Sequence, residues 1–278
     1  MTENGLPPMR SLFGADPLDE FATFVADWLW QNMQGRANIE IEAKLGLLID
    51  RQTNMRLQLP VYNETIIDAR ALGVRFESNM SMKQHASFNK LLNELVAYST
   101  TLPEHERITY KHQKETDFFY DVQMQDTGET VHLRVTRDSK TQSVKPNGVV
   151  TKQRIADLNV FCPARAYDYR ISINTETPMP PPPDTCEPTY SREKDRLSYA
   201  HQNYQVDLTQ VLLPNKPHEP NHELELEIRD ATYFMQLAQD TRLRNPEMTQ
   251  EWSPYEDQVV VFLNNIRLLI RNADTFMA

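Results

Sequence analysis

The chain has 278 residues, 40% of them hydrophobic, enough to bury one substantial core, and residues 1–278 are expected to form a single domain. Its 29 Lys and Arg against 39 Asp and Glu leave a net charge of −10. That balance argues against a broad basic surface coating nucleic acid, though it leaves room for a basic pocket inside an acidic shell.

In chain order, the apolar spacing predicts a helix over 17–33, with Leu18, Phe21, Val25, Trp28 and Leu29 on one stripe and Pro17 in the first turn. Strand-like runs follow near 39–49, 55–62 and 72–77. A second helix over 81–97 carries Phe88, Leu91, Leu92, Leu95 and Val96. Further strands are expected near 107–124, 130–137, 148–161, 166–176, 190–199, 204–212 and 222–229, with hairpin turns at Asp126-Thr127-Gly128 and Asn147-Gly148. The prolines from Pro178 to Pro188 read as an exposed loop between strands, or as a polyproline ligand. Two helices close the chain, over 231–243 and 254–272. The last carries Val259, Val260, Phe262, Leu263, Ile266, Leu269 and Ile270 on its apolar face. Many adjacent strands with short turns imply an α+β fold: a closed antiparallel β-barrel with flanking α-helices.

Several exclusions narrow the chemistry. Glycine is scarce, at 7 residues, and neither GxGxxG nor GxxxxGK[ST] occurs, so no Rossmann or P-loop site is expected. Cys162 and Cys186 are too few for a disulfide scaffold or a Cys-ligated zinc, and fit a reducing intracellular compartment. No apolar run approaches the roughly 20 residues of a membrane span, and the N-terminus lacks a signal-peptide core.

Side chains on a strand alternate between faces, so parity sorts them. Glu40, Glu42 and Lys44 share a face, opposite Ile39, Ile41, Ala43 and Leu45; Glu223, Glu225 and Glu227 share another, opposite Leu224, Leu226 and Ile228. Arg134, Glu176, Asp207 and Thr209 lie on the polar faces of similar runs. Arg192, Lys194 and Arg196 share parity, as do Lys152 and Arg154, but Glu193 and Asp195 charge the opposite face, so a solvated edge strand is an alternative for 191–197. An ordinary sheet with one wet face explains any one strand. Stacked same-face glutamates, however, repel one another unless a cation sits among them. If the charged face is the barrel interior, oxygen donors there suit Mg²⁺ or Mn²⁺ and the Lys and Arg suit a phosphate chain, the apparatus of phosphoryl transfer.

The strings IEIEAK (39–44) and ELELE (223–227) resemble the motifs of the triphosphate tunnel metalloenzymes. Together with REKDRLSY (192–199) and YQVDLT (204–209), they resemble the fungal RNA 5′-triphosphatases of mRNA capping, the fission-yeast member above all. The resemblance implies metal-dependent removal of the γ-phosphate from 5′-triphosphate RNA. It implies Glu40, Glu42 and Glu227 as metal ligands, with Glu225 ordering the metal's waters. Arg134, Lys152, Lys194 and Arg196 would grip the triphosphate with Arg192 in support, and Glu176 would position the attacking water. Asp117, Asp207, Thr209 and Glu223 fit supporting or substrate-side positions, while Gln205 stands where the budding-yeast pattern has a basic residue. It further implies a nuclear homodimer working at the 5′ end of nascent RNA, with the phosphorylated C-terminal repeat of RNA polymerase II and the capping guanylyltransferase as partners. The rival readings are a tunnel enzyme acting on nucleotides or polyphosphate, and a noncatalytic polyphosphate or phosphopeptide binder.

Overall fold

A computed structural model of the chain describes residues 19–123, 128–244 and 253–277, together with Leu12. Within them lie four α-helices, α1 (Glu20–Met33), α2 (Met82–Ser99), α3 (Ala231–Arg244) and α4 (Pro254–Met277). The strands are β1 (Ile39–Asp50), β2 (Thr65–Ile67), β3 (Val74–Glu77), β4 (Thr109–Gln123), β5 (Thr130–Asp138), β6 (Val144–Phe161), β7 (Asp168–Pro178), β8 (Tyr190–His201), β9 (Tyr204–Leu213) and β10 (Lys216–Ile228).

Eight strands run in the order β10-β9-β8-β4-β5-β6-β7-β1, and β10 pairs again with β1, closing an antiparallel barrel. The closing register sets Glu42 opposite Glu227 and Lys44 opposite Glu225. The expected closed barrel with flanking helices is therefore present. Strand β8 lies between β4 and β9, so the edge-strand alternative for 191–197 is overturned.

The core sits outside the barrel. Ile41, Ala43 and Leu45 of β1, Ile171 and Ile173 of β7, and Leu224, Leu226 and Ile228 of β10 are buried against Val25 and Leu29 of α1 and Val259, Phe262, Leu263 and Ile266 of α4. Apolar faces two residues apart on strands thus meet apolar stripes on helices, and each wall of the barrel becomes wet inside and dry outside. Asp19 caps α1, its carboxylate accepting from Ala22 N at 3.0 Å. Ser81 and Gln84 form a capping box at the start of α2. Pro17 and Leu18, named in the expected first helix, lie outside the described residues.

Two local expectations are corrected. Residues 55–62 form no strand beyond a single bridge from Arg56 to Ile49. The Arg56 guanidinium instead donates to the buried Asp168 at Oδ1, 2.6 Å away, and to the carbonyls of Cys162 and Arg165, and this ion pair ties the segment down. The short strand β2, pairing with β6, takes the place of the expected element. Asn147-Gly148 is not a hairpin turn but lies within β6, where the pairing with β5 shifts register. Asn147 takes φ 54°, and a Cβ at Gly148 would meet Lys145 O at 2.7 Å and Thr136 O at 2.8 Å, the geometry of a bulge. Of the other expected turn, Asp126 and Thr127 lie outside the described residues. The proline-rich stretch does form a loop, between β7 and β8.

Candidate active site

The barrel encloses a cavity of about 290 Å³. Glu40, Glu42 and Lys44 of β1 and Glu223, Glu225 and Glu227 of β10 line it, joined by Arg134, Lys152, Glu176, Arg192, Lys194, Arg196 and Thr209. Parity alone grouped these residues strand by strand; closure between β1 and β10 decides that these charged faces point the same way, inward. Glu115, Thr136, Lys145 and Val211 also line the cavity and were not foreseen. Glu115 shares parity with Asp117 and could have been found; Lys145 was hidden behind the misread turn at Asn147-Gly148.

The wall is divided by charge. Lys44 bonds Glu225 and lies 3.8 Å from Glu42 and 3.9 Å from Glu223. Burial disfavours its charge, but Glu225, Glu42 and Glu223 outweigh that and hold it above the ordinary lysine range. Burial also opposes the charge on Glu225, yet Lys44 and Arg196 bring that carboxyl down to about 2. Lys152 bonds Glu40 and reaches Glu176 Oε1 at 3.3 Å. The Arg134 guanidinium donates to both Glu176 oxygens at 2.9 Å. Burial raises Glu176, but Arg134 and Lys152 prevail and keep it ionised, below the usual carboxylate range.

On the basic side, Asp117 is fully buried and receives Lys194 at 3.0 Å, Arg192 Nε at 2.9 Å and the Thr136 hydroxyl at 2.7 Å. Despite burial, Lys194 and Arg192 bring it down to about 2. Asp117 therefore aims two cations into the cavity. Asp207 is placed differently from the substrate-side position expected of it. It is 1% exposed, sits behind Arg196 at 3.2 Å, and does not line the cavity. A carboxylate there orients the guanidinium; in contact with phosphate it would repel. Gln205 donates to the same Asp207 at 3.0 Å, so the amide, not a second cation, supports that carboxylate.

Whether the acids suit a divalent cation turns on donor type and charge. The β1 and β10 glutamates offer only oxygen, which favours a hard ion over zinc. Glu227 is pushed up to about 8, by burial first and then by Glu40 and Asp207, so negative charge at this corner exceeds what its cationic neighbours offset. Glu42 is raised by burial, with Glu225 adding to the effect against Lys44. Asn174 donates to Glu40 at 2.7 Å and to Glu42 at 3.2 Å, steering both carboxylates together. Among the described residues no three Asp, Glu, His or Cys groups close on one point. The Lys44 and Lys152 amines stand between the acids instead. By chemistry and by charge the donor set fits a divalent ion that would displace those amines.

The opposite wall fits a polyanion. Arg134 Nε, Arg196 Nε and Thr209 Oγ1 are buried without a hydrogen-bond partner, three polar atoms at the cavity wall. The lining carries seven acids and seven cationic side chains, so a polyanion entering with a divalent ion disturbs the balance less than either alone.

Comparison with known proteins agrees with this geometry. The family model described as "mRNA capping enzyme, beta chain" matches residues 15–275. The chain belongs to this family. The mRNA-capping enzyme subunit beta of Schizosaccharomyces pombe is 35% identical over 237 residues, covering 84% of this chain and 74% of that protein. The likeness to the fission-yeast member is thus that of a homologue. The subunit beta of Cryptococcus neoformans is 34% identical, covering 96% of this chain and 65% of its own length. Against the Kluyveromyces lactis relative, at 29% identity, the chain spans about half, 47%. The structure of S. pombe Pct1 RNA triphosphatase in complex with the Spt5 CTD superposes with a TM-score of 0.83 at 31% identity, covering 96% of this chain and 99% of that one.

Proposed function

We propose that this chain is a metal-dependent RNA 5′-triphosphatase of mRNA capping, which hydrolyses the γ-phosphate of 5′-triphosphate RNA to leave a 5′-diphosphate end. Membership of the beta-chain family and the fold shared with Pct1 RNA triphosphatase support the activity. The observation that carries the mechanism is the convergence of the β1 and β10 carboxylates with the β5, β6 and β8 cations on one cavity.

Glu40, Glu42 and Glu227 are the proposed ligands of Mg²⁺ or Mn²⁺, with Glu225 behind them; such an ion, when bound, withdraws charge from the γ-phosphate oxygens. Arg134, Lys152, Lys194 and Arg196 grip the nonbridging oxygens, and Arg192 supports Lys194 through their shared Asp117. Glu176, kept ionised by Arg134 and Lys152, accepts a hydrogen bond from water and aims its oxygen at phosphorus. The new P–O bond forms from that water, the bridging oxygen leaves on the β-phosphate, and the proton passes toward Glu176. Thr209 Oγ1 is free to donate to phosphate, and Glu223 tunes Lys44 from 3.9 Å.

The rest of the reading follows the family. Residues 1–278 act as one catalytic domain, as a homodimer, in the nucleus, on the 5′ end of nascent RNA. The S. pombe structure holds a Spt5 CTD, and a C-terminal repeat of the transcription machinery, that of RNA polymerase II among them, is a proposed partner here too, beside the capping guanylyltransferase.

The test is a substrate panel of triphosphate RNA, nucleoside triphosphates and tripolyphosphate, with Mg²⁺, Mn²⁺ or excess chelator. Phosphate release from the RNA should depend on the divalent ion, and equal rates under chelator would remove the assignment. Glu227→Ala should lower kcat by roughly a thousandfold, the loss of several kcal/mol of metal stabilisation. It should melt no lower than the parent, because its burial raises rather than lowers the folded-state cost of charge.

A further inference from the structure

An aromatic stack borders the basic side of the cavity and has no part in the chemistry above. Phe119 of β4 and Tyr190 of β8 are directly opposite in register, with ring centroids 4.2 Å apart and planes within 8° of parallel. By strand alternation Phe119 falls on the side of Glu115 and Asp117, and Tyr190 on the side of Arg192, Lys194 and Arg196, which is the cavity side. The Arg192 guanidinium, which lines the cavity, lies 5.2 Å from the Phe119 centroid while its Nε is held by Asp117. Arg134 is the β5 partner of Phe119. The stack is therefore continuous with the cations that face the phosphates.

The stack is also held in place and open. Thr189 N and Oγ1 both donate to Phe119 O, at 2.8 and 3.0 Å, which fixes the end of the proline-rich loop so that Tyr190 starts β8 over the Phe119 ring. Tyr190 is 53% exposed. With one face against Phe119, its other face is open to a planar group. A chain of net charge −10 offers nucleic acid little electrostatic grip outside the cavity. Stacking needs no charge, and it tolerates any base because each has a π-face.

We propose that the Phe119–Tyr190 stack is the seat of the 5′-terminal nucleobase of the RNA, which lies on the Tyr190 ring while Arg134 and Arg192 face its phosphates. This rests on the triphosphatase reading and extends it to the nucleoside. Tyr190 acts in substrate selection, favouring an RNA end over a bare phosphate chain.

The test compares wild type and Tyr190→Ala on triphosphate RNA and on inorganic tripolyphosphate, which has the phosphates and no base. The KM for RNA relative to that for tripolyphosphate should rise roughly tenfold, the scale of one base–aromatic contact, with kcat on RNA held. Tyr190→Leu, which keeps an apolar cover over Phe119 without a π-face, should behave like Tyr190→Ala, and Tyr190→Phe should restore the parent ratio. In a Glu176→Gln background, RNA carrying 2-aminopurine at its first position should lose fluorescence on binding, and adding Tyr190→Ala should abolish that quench. An unchanged KM ratio, or an undiminished quench, overturns the platform while leaving the triphosphatase intact. A parent chain that cleaves neither substrate defeats the triphosphatase reading, and the platform with it.

Discussion

Arg196 illustrates how a single side chain is tuned here. Its Nη1 lies 3.2 Å from Asp207 Oδ2, its Nε is buried without a partner, and Asp207 and Glu225 outweigh the burial that would oppose its charge. One edge of the fork is spent on orientation and the other remains for phosphate. A lysine can satisfy one of these and not both. Arg196→Lys should therefore lower kcat/KM on triphosphate RNA by roughly 10- to 100-fold, the worth of one hydrogen bond to a charged group, with the melting temperature little changed. An unaffected rate in a steady-state assay would place Arg196 outside the site. Parity in the sequence grouped Arg192, Lys194 and Arg196, but it could not tell that Asp207 stands behind the fork rather than beside the substrate. That distinction depends on how β8 and β9 are paired, with Arg196 opposite Thr209 and Ser198 opposite Asp207.

Among the elements, β6 departs furthest from its sequence pattern. Asn-Gly between two strand-like runs is ordinarily a strong hairpin signal. Here the left-handed Asn147 and the close-packed Gly148 bend a continuous strand and bring Lys145 to 3.2 Å from Glu115 at the cavity wall. Gly148→Ala would force a Cβ against two carbonyl oxygens, so urea unfolding should show a loss of about 1–3 kcal/mol, the usual cost of overpacking. A variant as stable as the parent would mean that the bulge relaxes freely. The helices were read more closely, because a stripe such as that of α4 records the surface it covers. Val259, Phe262, Leu263 and Ile266 are all fully buried. On α2 the agreement is partial: Phe88 and Leu92 are buried, but Leu95 is 41% exposed at an apolar groove.

For the whole molecule, the inverted barrel keeps its charges inside and its core outside, and its response to acid follows from buried groups beyond the cavity as well as within it. His85 of α2 and His222 of β10 are each 4% exposed, with ring centroids 4.9 Å apart and both Nε2 atoms lacking a partner. Burial, and then His222, push His85 down to about 4 from its ordinary 6.5. A histidine held neutral in the fold contributes stability that is whole above the unfolded value and is lost as pH falls from 6.5 toward 4. Relative to His85→Gln, the parent should accordingly lose the equivalent of about 2 kcal/mol of urea stability between pH 7.5 and 4.5, whereas Glu227, raised to about 8, acts in the opposite direction in both chains. A second loss should set in below about pH 5, where the unfolded chain's carboxyls take up protons that Glu225 and Asp117, each lowered to about 2 by their cationic neighbours, do not. Parallel profiles for the parent and His85→Gln down to pH 4.5 would contradict the buried histidine pair.

The sequence by itself determined which residues act together. The two-residue period of a strand puts Glu40 with Glu42 and Glu225 with Glu227, and the helical stripes announce apolar surfaces in need of cover. Tertiary structure decided which face is interior, because only pairing across 181 residues, as between Lys44 and Glu225, closes the wall and turns the acids toward the cations. It also decided everything that depends on register between distant strands: the place of Asp207 behind Arg196, the reach of Lys145 past its bulge, and the stacking of Phe119 on Tyr190. Alternation is local and readable along one strand, whereas register is a long-range choice made by closure and packing.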